Sequence, residues 1–208
     1  MCRKGIDVSR WQGNINWIAV KDSGVEFAII KAGGSDAGFY KDRNFEMNYT
    51  NAKTAGVKVG AYYFVGKLCK SYKDGAADAE RFIEMLTGKQ FEYPVYIDFE
   101  APDTNNRSGN TDAVIGFCET MENAGYFVGV YASEISGFRD RLEDGRLQAY
   151  THWVARYGNK PRSISERVFG IWQYSSTGRV NGIDGNVDMD ESYIDFESVI
   201  KRRGFNGF

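Results

Sequence analysis

Short apolar runs recur along this chain, with helical or mixed patterns between them. The runs are Gly5–Ser9, Phe27–Lys31, Val59–Val65, Pro94–Glu100, Phe127–Tyr131, His152–Arg156 and Gly170–Tyr174, with a last short one near Val187–Met189. Several are apolar on both faces rather than alternating, as strands are when both sides of a sheet are covered. In the intervals, Ala79, Phe82, Ile83 and Leu86 fall on one helical stripe, and Val114, Phe117, Cys118 and Met121 on another. Gly88 and Gly125 follow them as stop signals. Strand–helix alternation predicts a parallel α/β sheet with right-handed crossovers. About eight strands predict closure into a barrel with function at the C-terminal strand ends. The chain is short for a full eight-fold barrel, so several late helices should be missing. An open doubly wound sheet is the alternative. No linker or low-complexity run breaks the 208 residues, so the expectation is one domain, 1–208, with its core at about residues 5–195 and no separate second module.

Composition removes several classes of function. The formal charge is −2, with no surplus of Lys and Arg to suggest a nucleic-acid partner. No run approaches about 18 apolar residues, so no membrane insertion is expected. The N-terminus has charge but no apolar stretch behind it, which predicts synthesis in the cytoplasm without a signal peptide. The single His, His152, and the lack of a Cys-x-x-Cys pair argue against a zinc site. Asp184–Asp190 departs from a calcium loop, with Met189 where Gly is required and Asp195 where Glu is. No metal and no cofactor are expected. The chain has neither a Gly-x-Ser-x-Gly elbow nor a phosphate-binding Gly-x-x-x-x-Gly-Lys loop. A Cys–His pair is formally open to Cys69 or Cys118, although Cys118 falls on a core stripe.

The carboxylates carry the positive signal. Asp98 and Glu100 end the fourth long run, and residues two apart on a strand share a face. Phe99 then points the other way, against a helix. Two acids that close repel, and one keeps its proton to higher pH. Such an acid can protonate a leaving oxygen, which is what glycoside hydrolysis requires. A bare Asp-x-Glu is also compatible with a solvated, salt-bridged strand end. Asp7, between Ile6 and Val8, and Asp188, between Val187 and Met189, also sit in strand-like runs. In a closed barrel all four acids can meet at one mouth, an unfavourable arrangement in low dielectric unless it stabilises a developing cation.

The order and spacing of Gly5-Ile-Asp-Val-Ser-Arg-Trp-Gln-Gly13, Ile29-Ile-Lys-Ala32, Gly60-Ala-Tyr-Tyr-Phe64, Tyr96-Ile-Asp-Phe-Glu100, Gly129-Val-Tyr131, Trp153-Val-Ala-Arg-Tyr157, Ile171-Trp-Gln-Tyr174 and Gly185-Asn-Val-Asp188 span nearly the whole chain. Together they resemble glycoside hydrolase family 25, the Chalaropsis-type lysozymes common among phage endolysins and bacterial muramidases. The resemblance implies a flattened, irregular TIM-like β/α barrel. It implies cleavage of the β-1,4 bond after N-acetylmuramic acid, with peptidoglycan glycan strands as the partner and cell-wall breakdown, host lysis included, as the role. By matching position, Glu100 is the implied general acid, Asp98 the residue that orients the substrate acetamido group or supports the cation, and Asp7 and Asp188 supporting acids. Two departures stand out. Lys31-Ala-Gly-Gly34 replaces a Lys-Ala-Thr-Glu type of run, and Tyr63 stands where His is common.

Sugar faces stack on aromatic rings, so Tyr62, Phe64, Tyr131 and Trp153, all of the catalytic parity, are candidate subsite walls; barrel core is the other reading. Lys31 and Gln173 share that parity and are candidate substrate contacts. His152 reads as a packed residue. A monomer is expected, acting on the wall after release. The competing functions are a non-catalytic glycan-binding barrel and a Cys–His wall peptidase.

Overall fold

A computed structural model of the chain describes residues 2–161 and 169–208. Among these residues nine strands form one sheet, ordered β1-β9-β8-β7-β6-β5-β4-β2-β3, and a further β1–β2 pairing closes it. The strands are β1 (Arg3–Val8), β2 (Phe27–Gly34), β3 (Tyr40–Lys41), β4 (Lys58–Phe64), β5 (Val95–Asp98), β6 (Val128–Ser133), β7 (Thr151–Ala155), β8 (Ile171–Gly178) and β9 (Val187–Ser192). All but the two-residue β3 lie around the closed ring, so the open-sheet alternative is excluded.

The helices are α1 (Trp17–Asp22), α2 (Phe45–Thr54), α3 (Tyr72–Leu86), α4 (Arg107–Asn123) and α5 (Phe196–Arg203). The two apolar stripes read from sequence are the buried faces of α3 and α4. These two helices pack closely at Gly75, where a Cβ would lie 1.8 Å from the Ala113 carbonyl oxygen. After β6 the chain forms only a π-helical turn at Glu134–Arg139 and a short turn at Asp144–Arg146 before β7. That is the expected thinning of late helices.

The all-parallel expectation needs correction at the short β3, which pairs antiparallel with β2, and within the closed ring at β9. β9 runs antiparallel to both β8 and β1. Only residues 179–186 separate β8 from β9, too few for a crossover helix, so the chain must reverse directly.

Strand alternation divides the core into two layers. Outward residues such as Ile6, Val8, Ile30, Val59, Ile97, Phe99 and Val130 pack beneath the helices. Inward residues Phe27, Ile29, Tyr93, Tyr96, Tyr131, Trp153 and Ile171 fill the barrel. Phe27 stacks on Tyr93 at 4.2 Å. Gly5 accommodates the Phe27 ring, which would lie 2.2 Å from a Cβ there.

The end of the barrel where β5 and β6 begin is closed by the C-terminal segment. Phe196 and Ile200 of α5 are buried among the inward residues. Asn206, wholly buried, donates to the carbonyls of Phe91 (3.2 Å) and Tyr93 (2.9 Å) and accepts from the Phe127 amide (2.8 Å). It does so from a left-handed backbone, φ 55°.

This plug generates a test. Asn206→Ala removes three buried hydrogen bonds and leaves a non-glycine residue at positive φ, so urea denaturation should show a loss of roughly 3 kcal/mol or more. Asn206→Gly should recover only the backbone part. A loss below about 1 kcal/mol for the alanine variant would mean the plug does not hold the barrel closed.

Candidate active site

At the opposite end, the strands deliver side chains to a single cleft of about 220 Å³. β1 supplies Asp7, β2 Lys31, β4 Tyr62 and Phe64, and β5 Asp98; β6 supplies Tyr131, β7 Trp153, β8 Gln173 and β9 Asp188. Glu100 lines the same cleft but lies two residues beyond the end of β5, not within it. Sheet pairing continues one residue past the strand, since the Phe99 amide donates to the Tyr131 carbonyl (3.0 Å). Phe99 therefore remains in the outer layer, and Glu100 lies on the Asp98 side. The segment carrying Glu100 is tied down next to the π-helical turn. Arg141 donates to the carbonyls of Pro102 (2.6 Å) and Ser136, and Asn110 donates to the Asp103 carbonyl (2.8 Å).

All ten residues singled out from sequence line the cleft, together with Ser9, Trp11 and Tyr157, which were not. The aromatic residues divide by depth. Trp153 is 1% exposed and packs 4.3 Å from the Tyr131 ring and 5.3 Å from Tyr96, so it forms the floor. Trp11, 77% exposed, and Tyr157, 55% exposed, stand at the rim and offer open faces for stacking. Trp11 is within the first motif quoted above, but its strand-end position carries no parity signal.

The floor is a hydrogen-bonded network. Tyr131 and Tyr157 donate their hydroxyls to Gln173 Oε1 at 2.9 and 3.2 Å, and Gln173 Nε2 donates to Asp7 Oδ2 at 2.7 Å. Two phenols on one side and a carboxylate on the other fix the amide's orientation. Trp153 Nε1 donates to Asp190 Oδ1 at 2.8 Å. Asp190 is a fifth acid, wholly buried beneath the cleft, that the sequence reading did not single out. Its position two residues after Asp188 on a strand was the available signal.

These acids share one electrostatic condition. Burial pushes the Asp7 carboxyl well above the usual range, and Asp190 and Asp188 add to the effect. Burial likewise raises Asp190, against the Trp153 hydrogen bond. Asp98 is raised by burial and then by Glu100, with Lys31 opposing. One of its oxygens, Oδ1, is buried with no hydrogen-bond partner among the described residues. Glu100 is raised by burial, with Arg141 pulling down and Asp188 pushing up. Asp188 is raised by burial. Lys31 is lowered by burial in spite of the nearby Asp98, and its ammonium lies 4.5 Å from the Phe64 ring.

Other sequence features fall outside the cleft. Tyr63 is on the outward face and donates to Asp78 of α3 at 3.0 Å, so the departure from His there does not touch the cleft. His152 is also buried, its ring 4.5 Å from that of Phe138 and its Nε2 3.6 Å from Asp144. Burial raises the Cys69 and Cys118 thiols, the opposite of what a nucleophilic thiolate requires. Val187 and Met189 pack in the outer layer, so Asp184–Asp190 runs into a strand instead of looping round an ion. Among the described residues no group of three His, Cys, Asp or Glu side chains is disposed to hold a metal.

The family model described as "Glycosyl hydrolases family 25" matches residues 6–183. The chain is 32% identical over 188 residues to "Autolytic lysozyme" of Clostridium acetobutylicum, a match covering 90% of this chain and 55% of that protein. It is 32% identical over 207 residues to "Lysozyme M1" of Streptomyces globisporus, covering 90% and 67% respectively. The crystal structure of the bacterial lysozyme from Streptomyces coelicolor superposes with a TM-score of 0.76 at 30% identity, over 95% of each chain. The chain thus spans little more than half the length of the Clostridium relative.

The raised acids make stability depend on pH. A carboxyl whose folded pKa lies above its unfolded value binds its proton more tightly when native. Its contribution is greatest at low pH and declines as pH rises through the unfolded and then the folded value. Asp98→Asn removes that decline at one site. Its melting temperature should exceed that of the parent by about 2–4 °C near pH 7, the shift expected from about 1 kcal/mol in a domain of this size, and the gap should close towards about pH 4. Thermal unfolding across that range is the measurement, and a gap independent of pH would refute the assignment.

Proposed function

Since the chain belongs to glycosyl hydrolase family 25, we propose that it is a lysozyme, hydrolysing the β-1,4 bond between N-acetylmuramic acid and N-acetylglucosamine in peptidoglycan. The observation that carries this reading is the meeting of Asp7, Asp98, Glu100 and Asp188 at one cleft mouth, with Asp190 beneath them. A site for binding sugars alone gains nothing from acids held above their ordinary range.

Glu100 is the general acid in this reading. Its raised pKa lets it keep its proton to higher pH than an ordinary glutamate, and the opposing Arg141 limits the rise so that the proton remains transferable. Glu100 gives that proton to the glycosidic oxygen as the bond to the anomeric carbon breaks. Positive charge then develops on the muramic-acid ring above the acidic floor. Asp98 Oδ1, an acceptor with no hydrogen-bond partner among the described residues, suits the N–H of the 2-acetamido group and would hold its carbonyl oxygen beneath the anomeric carbon. Attack by that oxygen gives a cyclic oxazolinium. Water then opens this intermediate, losing its proton to the Glu100 carboxylate and restoring the acid. Gln173, fixed by Tyr131 and Tyr157, holds Asp7 in place, and Asp188 contributes negative potential at the lip.

The described residues are proposed to make up one catalytic unit that acts as a monomer on the bacterial wall, with phage-driven lysis as the setting suggested by sequence. The substrate walls are assigned to Tyr62, Phe64, Tyr131 and Trp153 in depth and to Trp11 and Tyr157 at the rim, with Lys31 beside them.

Two variants test the mechanism. Glu100→Gln should lower the release of reducing ends from purified cell walls by about 10²–10⁴-fold while leaving glycan binding intact. Asp98→Asn should be similarly severe. Mass spectrometry of wild-type digests should place the new reducing ends on muramic acid. Unchanged turnover by the Glu100 variant, or reducing ends on glucosamine, would overturn the reading. In wild type, kcat/KM should fall on the alkaline side as Glu100 loses its proton, with a midpoint above the ordinary glutamate range.

A further inference from the structure

Beside the cleft lies a second hollow of about 340 Å³, lined by Arg10, Asp36, Ala37, Tyr40, Lys41 and Arg43. Tyr40 links the two: its ring lies 5.6 Å from the ammonium of Lys31, which lines the cleft, and 5.4 Å from the guanidinium of Arg10, which lines the hollow. Arg10 also lies 4.9 Å from the Trp11 ring at the cleft rim. From these contacts we infer that Arg10 and Arg43 receive an oxyanion carried by the muramic-acid unit of the substrate. This inference rests on the lysozyme reading above.

The charges here are unequal in their commitments. Asp36 Oδ1 accepts from the Tyr40 hydroxyl at 2.8 Å. Asp42 accepts the amides of Arg10 (3.1 Å) and Asn44 (2.9 Å). Lys41 is paired with Glu46. Among the described residues, by contrast, neither Arg10 nor Arg43 forms a salt bridge, and neither guanidinium donates a hydrogen bond within the protein. Two rings hold the Arg10 group by cation–π contact and leave its N–H donors unused. A guanidinium held in this way presents a planar fork suited to a carboxylate or a phosphate. The turn that bears Arg10 is fixed to the one that bears Arg43 through the Asp42 bonds and through Asn44 Nδ2, which donates to the Gly13 carbonyl at 3.0 Å.

The substrate carries a matching group. Muramic acid bears a peptide stem with free carboxylates, and in some walls a phosphodiester polymer as well. The acidic cleft repels either group, whereas the hollow lined by Arg10, Lys41 and Arg43 attracts it. Capture of that anion sets the direction in which a glycan strand lies across Glu100, because glucosamine units carry no such group.

The test uses soluble glycan strands with acetylated stem amines, before and after conversion of the stem carboxylates to amides. Arg10→Gln and Arg43→Gln should each lower kcat/KM about tenfold on the carboxylate strands, mainly through KM, and change it by less than about twofold on the amidated strands. Arg10→Lys should restore part of the loss. A third substrate, amidated strands that retain the phosphodiester polymer, separates the two anions: a loss confined to it assigns the site to phosphate. Equal losses on charged and neutral strands, or none on any, would overturn the inference while wild-type turnover upholds the lysozyme reading. Failure of the wild type to release reducing ends from any of these substrates would remove both.

Discussion

Holding several carboxyl groups together away from water is the constraint on which this molecule is organised. Each of Asp7, Asp98, Glu100, Asp188 and Asp190 is shifted in the same direction, with burial as the first cause. Like charges in such a place repel, and this raises their pKa values, while donors placed against some of them oppose the rise. Gln173 and the Trp153 indole supply two of those donors. The cluster lowers stability near neutral pH, so the rest of the fold has to hold it in place.

That support comes from the closed ring and the aromatic filling of the barrel. Trp153 packs against Tyr131, Tyr96 and Tyr62 and so joins the acidic end to the apolar interior. Below it, Phe27, Tyr93 and Phe196 carry the packing down to the plug formed by Asn206. One end of the barrel is closed by hydrogen bonds and rings, and this leaves the other free to carry an arrangement that is poor for stability and good for acid catalysis.

Much of this was legible in the sequence. The barrel strands were visible as apolar runs, because a strand covered on both faces needs apolar residues at nearly every position. Strand parity then put Lys31, Tyr62, Asp98, Tyr131, Trp153 and Gln173 on one side, which is where they lie. What escaped was information that parity does not encode. Trp11 and Tyr157 sit beyond strand ends, where the two-residue rule stops. Asp190 was obscured by its neighbours in an acid-rich run. The reversal of β9 was not apparent because a strand's direction is set by the length of the link before it. The two-residue β3 is too short to show any pattern at all.

That reversal has a practical side. β1 enters the barrel at the plugged pole, and β9, running back from the cleft, returns the chain to it; Arg3 and Asp195 meet there in a salt bridge of 3.0 Å. Both ends of the described chain therefore emerge at the same pole, facing away from the mouth of the cleft. A tag, a surface tether or an immobilising linker attached at either end would anchor the molecule by its base and leave the mouth directed outward.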